Sequence, residues 1–334
     1  MTPKQAGFYM PAEWTPHERC WMMWPCRREV WPDIEATMKD FVAVAHAIRE
    51  FEPVTMVAHP RDEAMARSML GSDIDVLTSQ IDDSWSRDAG PCFLIDDQGN
   101  HAGVNFEFNA WGGKYAPYDG DNRFSSFVLE QAGVRQFSSK LIAEGGGISV
   151  DGEGTILTTE FCFPNSNRNP DWTREQIEQE LMEVLGGAKV IWLPGDWDEI
   201  ETDGHVDGIA AFVAPGKVLA EIPGDPNAEH YNIMVENYET LKGQTDARGR
   251  ELELVQLRDA SDADAVGDTF CNCYVNSYLA NGGVVMPKYD IPADEAAAEI
   301  YQDLFPDRTV SQVSINNIAL GGGGIHCITQ QQPL

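Results

Sequence analysis

The stretch GGGGIHCITQQQPL, from Gly321 to Leu334, is the part of the chain around which the rest is organised. Its four consecutive glycines allow backbone conformations with positive φ and a close approach to a ligand, because no Cβ stands in the way. A single thiol, Cys327, follows them almost at once. Such a stretch is either a flexible loop with a buried, inert cysteine or a loop that presents a nucleophile to a cleft. Acids, bases and aromatic residues elsewhere in the chain decide between these two interpretations.

The composition indicates a globular chain with a large acidic excess. The 334 residues are 43% hydrophobic and 10% aromatic, which is enough to bury a sizeable core and argues against disorder. There are 23 Lys and Arg residues against 54 Asp and Glu residues, which gives a formal net charge of −31 at pH 7. A surface of this sign repels phosphate backbones and anionic lipids, so nucleic acid and membranes are not expected as partners. The same charge attracts cations.

The cysteines and the N-terminus predict a cytoplasmic protein. Seven cysteines, an odd number without a regular framework, are typical of reduced thiols. Cys271 and Cys273 are expected on opposite faces of a strand, where they would make a poor metal clamp. All cysteines apart from Cys327 are interpreted as buried structural thiols. The N-terminal residues contain no apolar signal core, and no run of about 18 apolar residues occurs.

Hydrophobic spacing predicts strands that alternate with helices. Pro32 and Asp33 open a segment with apolar residues at helical spacing, and Phe124–Ala132 is a second predicted helix. Short apolar strands, such as Val54–Ala58, lie between the helices. No linker or change of composition divides residues 1–334, so we expect a single domain built from about five similar α/β units.

The polar, Gly-rich turns between these units contain the candidate catalytic and binding residues. In DDSWSRDAGP, Asp88 follows Arg87 and is either part of a surface pair or a carboxylate that accepts two parallel hydrogen bonds from a planar cation. Trp85 is either a core residue or an aromatic wall beside such a cation. In EGGG, Glu144 stands directly before three glycines, where an acid lies beside exposed backbone.

The turn DGHVDG supplies an imidazole and a carboxylate. His205 and Asp207 are two residues apart, so on an extended segment they face the same side. This pair suits general acid–base catalysis. It would also provide two metal ligands, but the sequence shows no third ligand at a suitable spacing, so no metal site is predicted. The glycine run that precedes Cys327 is the fourth such turn. Together the four turns supply the groups needed for thiolate attack on a guanidinium carbon whose nitrogens are held by carboxylates.

Taken in order, WSRDAGP, EGGG, DGHVDG and GGGGIHCITQQQP resemble the agmatine deiminases of the guanidino-modifying pentein superfamily, which are similar to bacterial-type peptidylarginine deiminases. PAEWTPHERCWMMWP and NSYLANGGVVMPKYDIPADEAAAEIYQDLFPDR also resemble this family, so the resemblance covers essentially the whole chain. It implies a fivefold pseudo-symmetric α/β propeller of ββαβ units with the active site in its central channel. It also implies hydrolysis of agmatine to N-carbamoylputrescine and ammonia without a cofactor, as in putrescine and polyamine biosynthesis, and it suggests a homodimer.

The resemblance further implies roles for the residues of the four turns. Cys327 matches the nucleophile, and His205 matches the general acid and base. Asp88 and Asp207 match the carboxylates that hold the guanidinium. Glu144 matches the acid that orients the imidazole.

The contacts to the tail of the substrate follow less directly from the resemblance. Trp85 matches an aromatic residue that lines the substrate channel. Gly324 stands where agmatine deiminases generally carry Asn, and the stretch GDWDEIETDGH before the general acid also departs from the usual form. Glu201 is expected to meet the far amine of agmatine. His326, next to the nucleophile, is expected to pack in the core and not to react.

Three other functions are left open by the sequence. The same chemistry would deiminate another guanidino compound, such as a guanidinoalkyl amine, a guanidino acid or a peptidyl arginine. A carboxylate on the substrate would need a basic partner, and the four turns offer only Arg87. An amidinotransferase would pass the covalent intermediate to an amine in place of water. A non-catalytic pentein binding module, like the ribosome anti-association factors, would not need the thiol, the imidazole and both carboxylates together.

Overall fold

In the computed structural model, which describes residues 1–228, 230–263 and 269–334, five small β-sheets follow one another along the chain. Each sheet contains two antiparallel neighbouring strands, and the second of these pairs in parallel with a third strand. A helix connects the two parallel strands, as parallel pairing requires a long crossover. The predicted ββαβ unit is therefore present in all five sheets of the described chain.

Each sheet is formed by three or four short strands. The first sheet contains Gln330–Pro333, His17–Met23, Val54–Ala58 and Asp75–Thr78. The second contains Phe8–Tyr9, Cys92–Asp96, His101–Glu107 and Arg135–Ile142. The third contains Ser149–Val150, Thr155–Thr159 and Lys189–Leu193. The fourth contains Ala210–Ala214, Lys217–Ile222 and Glu253–Arg258. The fifth contains Tyr278–Ala280, Gly283–Lys288 and Thr309–Ser314.

The helices confirm the predicted alternation. The crossover helices are Ile34–Arg49, Phe124–Ala132, Arg174–Leu185, Tyr231–Leu241 and Ala293–Leu304. Glu63–Leu70 leads to the additional strand of the first sheet. Short helical segments are Lys4–Ala6, Arg28–Val30, Ser86–Ala89, Ala110–Gly113, Asp119–Asn122, Gly145–Gly147, Val206–Gly208 and Asn316–Ala319. As predicted, the first long helix begins after Asp33, whose carboxylate caps it by accepting a hydrogen bond from the N–H of Ala36.

The last strand closes the series of sheets. Gln330–Pro333 pairs with His17–Met23, so the first sheet is built from both ends of the chain. Across this pair, Trp21 Nε1 donates a hydrogen bond to Gln332 Oε1 at 2.9 Å. Because this strand directly follows the glycine run and Cys327, one stretch of sequence both closes the fold and positions the thiol.

Each unit presents a turn at the same place, just before its first strand. The residues in these turns are Asp88, Gly146, His205, Asn276 and Cys327. The turns converge: Gly146 N donates to Asp88 Oδ1 at 2.9 Å, and Asn276 Nδ2 donates to Cys327 Sγ at 3.2 Å. The fivefold repeat therefore brings one turn from every unit to a common centre, which is the architecture implied by the resemblance to the pentein fold.

Candidate active site

Cys327 lies at the centre of the converging turns and is one of the buried residues of the main apolar core. Its Sγ lies 3.2 Å from Asn276 Nδ2 and 3.7 Å from Asp207 Oδ2, and the side chain is almost fully buried. Burial, followed by the negative charges of Asp207 and Asp88, raises the pKa of this thiol well above its usual range. The sulfur therefore keeps its proton at neutral pH as long as nothing offsets these charges.

His205 lies among three carboxylates without touching any of them closely. Its Nδ1 is 3.7 Å from Asp88 Oδ1 and 4.0 Å from Asp207 Oδ1, and its Nε2 is 3.6 Å from Glu144 Oε2. Burial alone would lower the pKa of the imidazole, but the charge of Asp88 and further neighbours outweighs it, so the pKa is raised well above its usual value. The ring is therefore protonated at neutral pH and is ready to act as an acid.

The two carboxylates that face His205 differ in their surroundings. Asp88 accepts hydrogen bonds from Gly146 N and from Trp111 Nε1, both at 2.9 Å. Burial raises the pKa of Asp88, although the charge of His205 acts against it. Asp207 is also buried, but His326 Nδ1 lies 2.8 Å from its Oδ2 and the pKa of Asp207 is lowered. Asp207 is thus the more firmly ionised of the two.

The glycines of the EGGG turn keep the space between these groups open. A Cβ on Gly146 would lie 2.6 Å from His205 Nδ1, 2.7 Å from Asp88 Oδ1 and 3.0 Å from Asp207 Oδ2. Real Cβ atoms do not approach other heavy atoms so closely, so any side chain here would displace the imidazole or the carboxylates. The middle glycine of this turn is therefore required by the close approach of three ionisable side chains.

A buried arginine fixes the third carboxylate. Arg168 Nε lies 3.0 Å from Glu144 Oε1, and neither side chain is exposed to solvent. The guanidinium also donates to the carbonyl oxygen of Thr202 at 2.7 Å and contacts Asp203. Burial tends to raise the pKa of Glu144, but the charge of Arg168 outweighs it and the pKa is lowered. Arg168 was missed by the sequence analysis because it lies in a run, NSNRNP, that carries no recognisable chemistry.

A second chain of contacts runs from Asp207 away from the thiol. His326 bridges Asp207 and Glu13, with its Nε2 2.9 Å from Glu13 Oε1. Arg87 Nη1 lies 3.4 Å from the same carboxylate oxygen. His326 is buried, as expected, but the expectation that it merely packs was incomplete, because its ring holds one of the central carboxylates in place.

A cleft leads from the surface to Cys327. Its walls include the rings of Trp85, Trp111 and Tyr115, and Glu201 lies on the same wall, where its Oε2 accepts a hydrogen bond from the hydroxyl of Tyr115 at 2.5 Å. The rings of Trp85 and Trp111 are almost perpendicular, with centroids 6.4 Å apart. The cleft therefore combines aromatic walls with an acidic group along its length.

Gly324 has a different position from the other glycines of its loop. Gly321 and Gly322 line the cleft, whereas the backbone of Gly324 lies near Cys327 and acts to lower the pKa of its thiol, against the larger effects of burial and the two carboxylates. A Cβ on Gly324 would lie 2.5 Å from Asn276 Oδ1. In this chain, Gly324 thus lies against Cys327 and Asn276.

Comparison with known proteins identifies the family. Residues 9–333 match the family described as Porphyromonas-type peptidyl-arginine deiminase. The chain belongs to this family. An agmatine deiminase from Stutzerimonas stutzeri is 42% identical over 357 residues, which cover 99% of this chain and 97% of that protein. An agmatine deiminase from Pseudomonas syringae pv. tomato is 40% identical, with coverage of 99% and 97%.

Solved structures agree with this assignment. The agmatine deiminase of Enterococcus faecalis superposes with a TM-score of 0.96 at 38% identity, covering 99% of this chain and 97% of that one. DDAH from Pseudomonas aeruginosa shares the fold alone, with a TM-score of 0.51 at 13% identity. No helix in the described part of this family member is long and apolar enough to cross a membrane.

One set of side chains in the site has the spacing of metal ligands. Ligand atoms of Glu144, Cys162 and His205 lie within 4.8 Å of one another, and the sequence analysis interpreted Cys162 only as a buried structural thiol. The other oxygen of Glu144 is already paired with the guanidinium of Arg168. A metal cation here would lie close to that positive charge, so the arrangement is better suited to holding a protonated His205.

The expectation for Cys271 and Cys273 is wrong. These residues do not lie in a strand, and their Sγ atoms are only 3.5 Å apart. The hydroxyl of Tyr289 donates to the carbonyl oxygen of Cys271 at 2.9 Å and lies 3.2 Å from that of Cys273, which holds this irregular segment in a bend. The alternation of side chains that separates neighbours two apart on a strand is therefore lost.

Proposed function

We propose that this chain is a hydrolase that deiminates agmatine to N-carbamoylputrescine and ammonia. The observation that carries this proposal is the convergence of Cys327, His205 and the carboxylates of Asp88 and Asp207 at the end of a cleft with an acidic wall. The similarity to agmatine deiminases over the full length supports it.

A guanidinium suits the space between the carboxylates. It is planar and cationic, and its N–H groups form strong, charge-assisted hydrogen bonds with carboxylates such as Asp88 and Asp207. The aliphatic chain of the substrate would lie along the rings of Trp85 and Trp111. Glu201 would accept the terminal ammonium, and aromatic walls also favour cations.

The cleft favours an amine over a carboxylate at the end of the substrate. Its lining includes Asp83 and Glu201 but neither Lys nor Arg among the described residues. Arg87 is the basic residue that the sequence offered as a partner for a substrate carboxylate. It is buried and donates hydrogen bonds to Glu13 and to the carbonyl oxygen of His326. A guanidino acid or a C-terminal arginine would therefore bring a carboxylate to an acidic wall.

Binding of the substrate changes the state of the thiol. The negative charges that raise the pKa of Cys327 are those of Asp207 and Asp88, and a bound guanidinium offsets both. The thiol then releases its proton to solvent, and the thiolate attacks the guanidinium carbon. Protonated His205 gives its proton to the departing nitrogen, which leaves as ammonia, and an amidino-thioether forms on the sulfur.

Hydrolysis of the intermediate reverses the role of the imidazole. Neutral His205 takes a proton from water, and the resulting hydroxide attacks the same carbon. The carbon–sulfur bond breaks, the thiolate of Cys327 is restored, and the second proton of the water leaves the site, so that the net products are the ureido compound and ammonium. Throughout, Arg168 keeps Glu144 ionised beside Nε2 of the imidazole.

Ammonia release tests the proposal. The purified protein is assayed with agmatine, arginine and 4-guanidinobutyrate in parallel, beside the Cys327→Ala variant. We expect release from agmatine that is abolished in the variant, because the covalent step needs the sulfur. Release from another guanidine alone would preserve the mechanism and change the substrate. Release from none of the three would refute deimination of small guanidines and favour a transferase or a binding module.

A matched pair of variants tests the contact with the tail of the substrate. Glu201→Gln should raise KM for agmatine by roughly tenfold, which corresponds to about 1.4 kcal/mol, and should leave KM for butylguanidine unchanged. Tyr115→Phe removes the hydroxyl partner and keeps the carboxylate, so its effect on agmatine should be much smaller. Equal effects of Glu201→Gln on the two substrates would show that this carboxylate does not contact the amine.

A further inference from the structure

Two thiols outside the catalytic groups lie in contact with each other. Cys271 Sγ and Cys273 Sγ are 3.5 Å apart, whereas the sulfurs of a disulfide are about 2.05 Å apart. A disulfide would therefore require the two sulfurs to approach each other by about a further 1.5 Å. The hydroxyl of Tyr289 holds both carbonyl oxygens of this segment, so the two side chains are kept on the same side.

The two sulfurs differ in access and in protonation. Cys271 is half-buried, and Cys273 is buried. The hydrogen bond with Cys271 is the main cause that raises the pKa of Cys273, and burial adds to it. Cys273 therefore keeps its proton at neutral pH, and Cys271, the more exposed sulfur, is the one that an oxidant reaches first.

The pair is joined to the catalytic groups through the backbone. Cys271 and Cys273 line the same cavity as Cys327, His205 and Asn276, and this cavity has a volume of about 530 Å³. Three residues after Cys273 comes Asn276, which donates a hydrogen bond to the nucleophilic sulfur. A change in the backbone at this pair would therefore reach Asn276, and through it the sulfur of Cys327, within three residues.

The pair is also joined to the wall of the substrate cleft. The N–H of Cys271 donates to the carbonyl oxygen of Ala319 at 3.0 Å, and Thr269 Oγ1 donates to that of Leu320 at 3.2 Å. Leu320, Gly321 and Gly322 line the cleft. Movement of the cysteine pair would therefore also displace the segment from Ala319 to Gly322, which borders the cleft.

We propose that Cys271 and Cys273 form an oxidation-sensitive dithiol, which a hydroperoxide converts to a disulfide, and that the disulfide slows the reaction at Cys327. The thiolate of Cys271 attacks the terminal oxygen of the hydroperoxide and becomes a sulfenic acid, while the other oxygen leaves as hydroxide or alkoxide and takes up a proton. The sulfur of Cys273 then attacks the sulfenic sulfur, and water is released. With hydrogen peroxide, two thiols and one peroxide give one disulfide and two waters. A dithiol reductant restores the thiols by exchange.

Mass spectrometry and reactivity test this proposal together. The full-length protein is treated with hydrogen peroxide, and the peptide that contains residues 271–273 is analysed without reduction. We expect a mass decrease of two hydrogens that dithiothreitol reverses. The rate at which iodoacetamide alkylates Cys327 is measured in the reduced and in the peroxide-treated protein. The disulfide should slow this rate roughly tenfold or more, because small displacements of a reacting group lower a reaction rate by up to about 10²-fold.

Serine variants provide the controls. Cys271→Ser and Cys273→Ser each remove one half of the pair, so in both variants peroxide should leave the alkylation rate of Cys327 unchanged. Their thermal midpoints and their activity under reducing conditions establish that they are folded. The same loss of reactivity in wild type and variants would overturn the proposal, as would a disulfide without any change in rate or the absence of the disulfide.

The inhibition of ammonia release rests on the proposed function, but the mass and the alkylation rate do not. If agmatine is hydrolysed, its turnover should fall and recover in parallel with the disulfide. If no guanidine is hydrolysed, the two covalent measurements still decide whether the dithiol controls the nucleophile. A failure of the proposed function is therefore distinguishable from a failure of this inference.

Discussion

Asn276 uses both ends of its side-chain amide to hold Cys327. Its Nδ2 donates to the sulfur at 3.2 Å, and its Oδ1 accepts the backbone N–H of Cys327 at 3.2 Å. The first contact favours the thiolate, and the second fixes the backbone that carries it. Asn276 is thus the contribution of the unit with the fifth sheet to a site in which every other unit also supplies a polar or ionisable group or a glycine.

Replacing Asn276 should therefore slow the reaction without unfolding the protein. A hydrogen bond to a charged group contributes about 1.5–3 kcal/mol, so Asn276→Ala should lower kcat/KM for agmatine by roughly 10- to 100-fold. Steady-state kinetics and the thermal midpoint are measured together. Asn276→Asp should be at least as harmful, because it adds a negative charge beside a thiol that must ionise. An unchanged kcat/KM in both variants would show that the amide does not assist the sulfur.

Replacing either of two glycines near the site by alanine should affect activity very differently. Gly146→Ala places a Cβ within 2.7 Å of His205 Nδ1 and Asp88 Oδ1, so activity should fall by roughly 100-fold or more. Gly208→Ala, next to Asp207, meets no atom within 4 Å and should remain active. Ammonia release by the two variants decides this. Similar activity in both would mean that the EGGG turn can move away from the imidazole.

Several central residues were visible in the sequence because each combines a reactive group with an unusual neighbour. A thiol after four glycines, an acid before three, and a His two residues from an Asp can all be recognised without a structure. Asn276 lacked such a signal, since Asn is ordinary in a turn. Its place before the first strand of the fifth sheet is equivalent to that of Asp88 and Cys327 before theirs, so the repeat itself was the signal that could have found it.

The supporting contacts could not be predicted, for a physical reason. Glu13 and His326 are 313 residues apart in the chain and meet only because the last strand pairs with the first sheet. Arg168 meets Glu144 through a turn without regular periodicity. The prediction for Cys271 and Cys273 assumed the alternation of a strand, and the bend around Tyr289 removes that alternation.

The reactivity of Cys327 should depend on pH in an unusual way. Because burial and two carboxylates raise the pKa of the thiol, its alkylation by iodoacetamide should be slow at neutral pH and should still increase above pH 8.5, the approximate pKa of an ordinary thiol. Asp207→Asn removes the nearer negative charge and should shift this curve to lower pH. The rate is followed by mass spectrometry. A rate that levels off below pH 8 in the substrate-free protein would show that the thiolate is formed before the substrate binds.

The ion pair between Arg168 and Glu144 should be essential for stability. Both side chains are fully buried, so Arg168→Met leaves a carboxylate without its partner and should lower the free energy of unfolding by about 3–5 kcal/mol. Denaturant titration measures the change. The double variant Arg168→Met, Glu144→Gln removes the stranded charge and should recover part of the loss. A double variant less stable than the single one would contradict this account.

The contact of Glu13 with His326 should make part of the stability depend on acid pH. Burial tends to raise the pKa of Glu13, but the charge of His326 and then that of Arg87 outweigh it and lower the pKa from 4.5 to about 2. A carboxyl whose pKa is lower in the folded state stabilises the fold above its unfolded pKa, and this stabilisation is lost as the pH falls through the folded value. The difference in thermal midpoint between wild type and Glu13→Gln should therefore be largest above about pH 5 and should shrink between pH 4.5 and 2.

Glu63→Gln removes an exposed carboxylate paired with Arg67 and should change the midpoint little at any pH. A constant difference for Glu13→Gln across this range would mean that the carboxylate acts through its shape and not through its charge.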